Sequence, residues 1–292
     1  MQITKKILVT GGAGFIGSHL CERLAKNENN DVYSLDNYFT GSRSNHVPHV
    51  TYIVGNTAEI AALVTFTPDM VYHLGEYSRV EQSFGDIKKV WQYNKDGMFA
   101  VLEFVRKAGC KILYAGSSTK FGDGGLGRSA SPYAWTKAAN TELVQNYGTW
   151  FNLPYAITYF YNVYGDREIQ TGKYATLNAL FKEKMKNDKT LTIVSPGTQR
   201  RNFTHIDDII DGIVLVGEKG YGDEFGIGTQ DSYTIKEIAE MFGGSIQILP
   251  ERKGNRMTAD VMTAKTKALG WNPTRNISQY IENLKVNNWR DL

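Results

Sequence analysis

At 292 residues the chain can bury one large core, or a main domain with a smaller appendage. Its content of 41% hydrophobic and 22% charged residues is that of a soluble globular protein, and no run approaches the ~20 apolar residues of a membrane span. A net charge of +3 is too small to point to nucleic acid and suits an anionic small molecule, while five scattered histidines give no metal site.

The N-terminus runs straight into an apolar stretch, Ile7–Thr10, leaving no room for a signal peptide. The first strand is expected there. It opens into Thr10-Gly11-Gly12-Ala13-Gly14-Phe15-Ile16-Gly17. In Gly11-x-x-Gly14-x-x-Gly17 the first glycine permits a tight turn, the second lets backbone approach a pyrophosphate, and the third lets the following helix pack close. Ile16, Leu20 and Leu24 then recur at the spacing of a helix facing a sheet. The second strand, Asp31–Asp36, ends on a carboxylate suited to both hydroxyls of an adenosine ribose and repellent to a 2′-phosphate. NAD is therefore favoured over NADP, with nearby Arg43 leaving some room for the latter.

Further strands are expected at Val50–Val54, Met70–Leu74, Lys111–Ala115 and Tyr155–Tyr159, with helices over Val90–Lys107 and Ala134–Trp150. Alternation of this kind predicts an α/β fold, a doubly wound parallel Rossmann sheet with a smaller mixed C-terminal substrate domain. The division expected is 1–165 for nucleotide binding, with a return segment near 200–228, and 166–292 mainly for substrate. Short strands are expected at Thr192–Ser195 and Gln247–Leu249, and Thr234 and Glu237 form a capping box. Cys21 and Cys110 lack ligand or redox spacing and read as buried free thiols of a reducing, cytoplasmic compartment.

Chemistry is concentrated after Lys111–Ala115, where open α/β sheets bind ligands. A serine cluster, Ser117-Ser118, is followed by Tyr133 and Lys137, one helical turn apart. A free phenol titrates near 10, so a base for neutral pH requires stabilisation of the phenolate by roughly 4 kcal/mol. An ammonium about 4–5 Å away in a medium of effective dielectric about 20 supplies most of that. A positive nicotinamide ring adds the remainder, and Lys137 can also hold the nicotinamide ribose.

These words, together with Leu35-Asp36-Asn37, Tyr72-His73-Leu74, Tyr93-Asn94, Phe160-Tyr161-Asn162-Val163-Tyr164-Gly165, Arg201 through Asp208 and Leu269-Gly270-Trp271-Asn272-Pro273, resemble the extended short-chain dehydrogenase/reductases. The likeness is to the NAD-dependent epimerase/dehydratase family acting on nucleotide sugars. It implies a catalytic set of Ser117, Tyr133 and Lys137, the serine lying five residues before Gly122. It further implies cofactor contacts from Gly11, Gly14, Phe15, Ile16, Gly17, Asp36, Asn37, Asn56, Thr57, Leu74, Gly75, Tyr77, Asn94, Tyr133, Lys137 and Tyr161. Substrate contacts are implied for Ser117, Ser118, Tyr133, Asn162, Arg201 and Arg252, the two arginines pairing with a diphosphate.

Relatives that dehydrate or decarboxylate carry an acid directly after the catalytic hydroxyl, whereas this chain has Ser118, Thr119 and Lys120. The expected activity is thus 4-epimerisation of a nucleotide-diphosphate sugar, UDP-linked, by oxidation at C4 and re-reduction from the other face. Other reactions on the same scaffold (dehydration, decarboxylation, 4-keto reduction, epimerisation elsewhere) and a non-catalytic NAD-binding role are the alternatives. A homodimer built on the 90–107 and 134–150 helices is implied as well. Four departures stand out: Asn56 and Asn255 for aspartates, a short glycine-rich 122–131 segment, and Glu76 after His73-Leu74-Gly75. Glu76 is expected either to read a sugar hydroxyl or to pair with Arg79.

Overall fold

A computed structural model describes residues 4–121, 123–251 and 261–291. Arg252 and Asn255, expected above to meet the substrate and to depart from the family pattern, lie outside the described residues, as does Gly122.

Strands β1 (Lys5–Thr10), β2 (Asn30–Asp36), β3 (Val50–Val54), β4 (Met70–His73), β5 (Lys111–Ala115) and β6 (Tyr155–Phe160) join the Gly222–Ile227 strand in one sheet. Among the described residues it has seven strands, all parallel, in the order Gly222–Ile227, β6, β5, β4, β1, β2, β3. The chain therefore leaves β1 in one direction through β2 and β3 and returns to its other side through β4. The crevice at the carboxyl ends of β1 and β4 is the switch point where such sheets take ligands.

Apolar alternation along β1 feeds two cores. Ile7 and Val9 pack with Leu20, Leu24 and the Ile206–Lys219 helix on one face. Leu8 packs with Val101, Val105 and Val144 on the other. A third cluster, around Phe181, Leu191, Phe203, Ile238 and Phe242, belongs to the C-terminal part. There the Leu191–Val194 and Ile246–Leu249 strands pair in parallel. Thr234 and Glu237 form the expected reciprocal cap on the Ile235–Phe242 helix. The Leu-Gly-Trp-Asn-Pro segment is tied down through Asp208, whose carbonyl accepts from the Trp271 indole at 2.8 Å and whose carboxylate accepts from the Thr274 and Arg275 amides.

The single helix expected over 90–107 is instead three pieces. An α-turn, Ile87–Val90, passes through a wide π-turn, Trp91–Asp96, into the Gly97–Ala108 helix. Wide turns of this kind cluster at functional sites, and here one turns Asn94 fully inward.

Candidate active site

The glycine turn is held by contact with the segment after β4. Gly11 has φ +76°, and a Cβ there would lie 2.9 Å from the Gly75 Cα. At Gly17 a Cβ would lie 2.0 Å from the Gly11 carbonyl oxygen. Gly14 is the N-cap of the Phe15–Ala25 helix and offers no side-chain acceptor, so the first-turn amides stay available to an anion. Asp36 accepts from the Ala13 amide at 2.9 Å and the Tyr38 amide at 2.7 Å, one on each oxygen. Each oxygen keeps a lone pair for a ribose hydroxyl. Burial pushes its carboxyl up, partly countered by those amides. Arg43 turns over the Tyr38 ring, 5.5 Å from its centroid.

From this turn a cleft of about 1010 Å³ runs past Tyr133 to Arg201 and Phe203. Gly11, Gly14, Phe15, Ile16, Gly17, Asp36, Asn37, Thr57, Leu74, Gly75 and Tyr77 all line it, as do Ser117, Ser118, Tyr133, Lys137, Asn162 and Arg201. Three of the residues expected at the cofactor stand back from it. Asn94 is buried as a brace, accepting from the Tyr77 amide at 2.7 Å and donating to the Tyr77 carbonyl and the Thr136 hydroxyl. Tyr161 is buried with its hydroxyl accepting from the Met262 amide at 3.1 Å. Asn56 accepts from Asn37 at 2.8 Å, behind Gly55 and Thr57. The Asn162 amide, expected on the substrate, donates to the Asn202 carbonyl at 2.9 Å.

Local rules put the Tyr133 and Lys137 side chains in place. Ser131 caps the Pro132–Phe151 helix, accepting from the Ala134 amide at 3.1 Å, with Pro132 at its first position. Tyr133 thus falls in the first turn and Lys137 one turn later, on the same face. The Tyr133 hydroxyl donates to Ser117 Oγ at 3.1 Å, which selects Ser117 over its neighbours. Thr119 lies beside it, 2.8 Å away oxygen to oxygen. Lys120 points elsewhere, to the Tyr159 hydroxyl and Asp223.

Glu76 lines the cleft but does not pair with Arg79. Lys137 donates to it and to the Ala115 carbonyl, and Asn140 and Tyr114 also donate to its carboxylate. Arg79 turns instead to the Tyr174 carbonyl at 2.8 Å. Glu76 and Lys137 are separated by 61 positions, so no local spacing announces the pair. Asn140, three residues after Lys137 on the same helix, was detectable by that spacing. Glu168 is a further cleft residue without a sequence signal. It is buried, accepts from the Gly165 amide at 3.2 Å, and its other oxygen has no partner among the described residues. Burial pushes its carboxyl up to about 7.

A strand-turn-helix glycine cradle opposite a serine-bound tyrosine, in one cleft at the switch point, decides the family, and residues 7–228 match it. The chain belongs to the NAD dependent epimerase/dehydratase family. It is 28% identical over 300 residues to UDP-glucuronic acid decarboxylase 3 of Arabidopsis thaliana, covering 93% of this chain and 85% of that one. It is similar in fold to the UDP-glucose 4-epimerase of Thermotoga maritima solved with UDP-glucose, at TM-score 0.88 and 25% identity over 98% of both chains. The Thermus thermophilus UDP-glucose 4-epimerase solved with NAD matches at TM-score 0.88 and 26% identity, over 98% of this chain and 99% of that one. The family is NAD dependent, and the cradle fits that cofactor: the glycines leave the space that a side chain would fill, and Asp36 lines the same cleft.

Proposed function

We propose that this chain is a nucleotide-sugar 4-epimerase acting on a UDP-linked sugar with bound NAD. The observation that carries the reading is the Tyr133–Ser117 hydrogen bond inside the cleft, with no acidic side chain directly after Ser117. Ser117 holds the C4 hydroxyl, and Tyr133, as phenolate, takes that hydroxyl's proton while the hydrogen on C4 leaves as hydride. Bound NAD would supply the hydride acceptor for this oxidation and the donor for its reversal. After the keto-sugar turns over, Tyr133 gives the proton back on the new face. Lys137 has one N–H left after Glu76 and Ala115, and it serves the nicotinamide ribose. Gly11, Gly14, Phe15, Ile16, Gly17, Asp36 and Asn37 hold the rest of the dinucleotide. Arg201, with Arg252, supplies the charge for the diphosphate.

Water elimination and decarboxylation are the second reading, supported by the decarboxylase relative and by Glu168. Burial would raise the Glu76 carboxyl, but the Lys137 ammonium beside it, with its hydrogen bond, and the nearby His73 ring hold it at about 2. It is therefore ionised and unfit as a proton donor. Glu168, in contrast, carries a proton up to near neutrality.

Purified protein incubated with UDP-, GDP-, CDP- and dTDP-sugars and followed by NMR separates the readings. C4 epimers interconverting without added cofactor are the expected result. A 4-keto-6-deoxy product or released CO₂ transfers support to the second reading, and silence across the panel supports a non-catalytic NAD-binding protein.

The same reading includes a homodimer in the cytoplasm. Trp91 and Trp135 stack at 6.0 Å on the outer face of the two helical segments and are 49% and 43% exposed. Ile87 and Phe99 extend the exposed apolar surface. Both cysteines are buried free thiols, and among the described residues no helix is long and apolar enough to cross a membrane.

A further inference from the structure

The turn after β4 carries a buried carboxylate that the proposed steps leave unused. The Glu76 side chain is 2% exposed, and its Lys137 partner 7%. Donors reach it from separate elements. Tyr114 of β5 donates at 3.0 Å to the oxygen that also takes Lys137, and Asn140 donates at 2.8 Å to the other. His73 Nε2 lies 3.6 Å from that second oxygen.

His73 is anchored from its other side: Thr10 Oγ1, which accepts from the Gly75 amide at 3.0 Å, lies 2.7 Å from His73 Nδ1. That contact sets the ring so that Nε2 faces Glu76. Half-buried Lys95 approaches from the π-turn side and donates to the Asn140 carbonyl oxygen at 3.0 Å. On the Tyr133 side stands the Arg79 guanidinium, held to the Tyr174 carbonyl. A buried carboxylate with this many donors stays ionised, and an ammonium bonded to it has both its direction and its charge determined.

The positive charge beside Tyr133 is thus half of an ion pair. We infer that Glu76 is a positioning residue: it fixes the Lys137 ammonium and offsets its charge at the nicotinamide position, so that the site accommodates the cationic oxidised ring as well as the neutral reduced one. Only its effect on Tyr133 rests on the proposed epimerase chemistry; its effect on the cofactor needs no sugar.

The test is titration of NAD⁺ and NADH, followed by fluorescence, into Glu76→Gln, Glu76→Asp and the unaltered protein. In Glu76→Gln an uncompensated ammonium faces the ring. The ratio of NAD⁺ to NADH dissociation constants is expected to rise about tenfold or more. Glu76→Asp, which keeps the charge, should retain the original ratio. Equal weakening of both cofactors, as lost packing alone would give, overturns the inference, and so does an unchanged ratio.

If Glu76→Gln does not accumulate folded, the double variant Glu76→Gln/Lys137→Met, with neither charge, is expected to fold and to show the original ratio. An equally unfolded double variant overturns the charge-pair role. With any sugar turned over in the panel, loss of the carboxylate favours the phenolate. The acidic limb of the rate profile in Glu76→Gln should then move down by about one pH unit; an unmoved limb overturns the inference too. A silent sugar panel beside a shifted cofactor ratio removes the epimerase reading and leaves the role of Glu76 standing.

Discussion

Tyr133 presents a single hydroxyl to the cleft, and Ser117 Oγ accepts a hydrogen bond from it at 3.1 Å. Replacing Tyr133 by Phe removes that hydroxyl while leaving the glycine cradle untouched. NAD binding should persist while turnover in the NMR panel falls about a thousandfold or more; near-normal turnover would remove Tyr133 from the mechanism. Glu168 yields a prediction about pH. Its carboxyl is held at about 7 when folded against 4.5 for an ordinary glutamate, so the folded protein binds the proton more tightly. Stability from this group is complete below about pH 4.5 and is lost as pH rises through about 7. Glu168→Gln should therefore gain roughly 2–3 kcal/mol over the unaltered protein on going from about pH 5 to about pH 8. Thermal unfolding at the two pH values measures it.

Residues whose meaning is local were legible in the sequence. The glycine turn and the Tyr133/Lys137 spacing each declare themselves within a few positions. Glu76 was visible as an oddity, but its partner was not. The pair forms because β4 and β5 align His73 with Tyr114 and the Pro132–Phe151 helix crosses behind them. Arg79, nearer in sequence, was the wrong guess because its guanidinium serves the Tyr174 carbonyl.

At the level of elements, a strand buried on both faces announces itself as a continuous apolar run, and β5 appears at the expected residues; β3, a partly exposed edge strand, also appears where expected from its β-branched residues. The helix following β1 depends on Gly17. Gly17→Ala would set a methyl 2.0 Å from a backbone oxygen, which no side-chain rotation relieves. The turn must open, at a cost expected to exceed about 3 kcal/mol. Chemical denaturation and NAD titration should show both the loss of stability and the loss of cofactor. The π-turn escaped sequence reading because periodicity across Val90–Lys107 averages over the slip.

Across the whole molecule, the parallel sheet and its crevice followed from alternating strand and helix patterns. The polar closure around Glu76, assembled from four segments, did not. The exposed indoles support a prediction about assembly. Introducing glutamate at both Trp91 and Trp135 places charge in the face proposed to join two copies. Sedimentation should show a dimer become a monomer with its thermal midpoint little changed; a monomer already present in the unaltered protein would end the proposal.

The π-turn also determines how straight that face is. Ile87 and Phe99 stand twelve residues apart, which in an unbroken helix leaves their side chains about 120° out of line. A residue absorbed by the wide turn cancels about 100° of that rotation. Ile87, Trp91 and Phe99 consequently fall along one nearly straight ridge, while Asn94 between them swings to the interior. A single irregular turn both aligns the outer ridge and seats the inner brace, so its geometry answers to the surface and the active site at once.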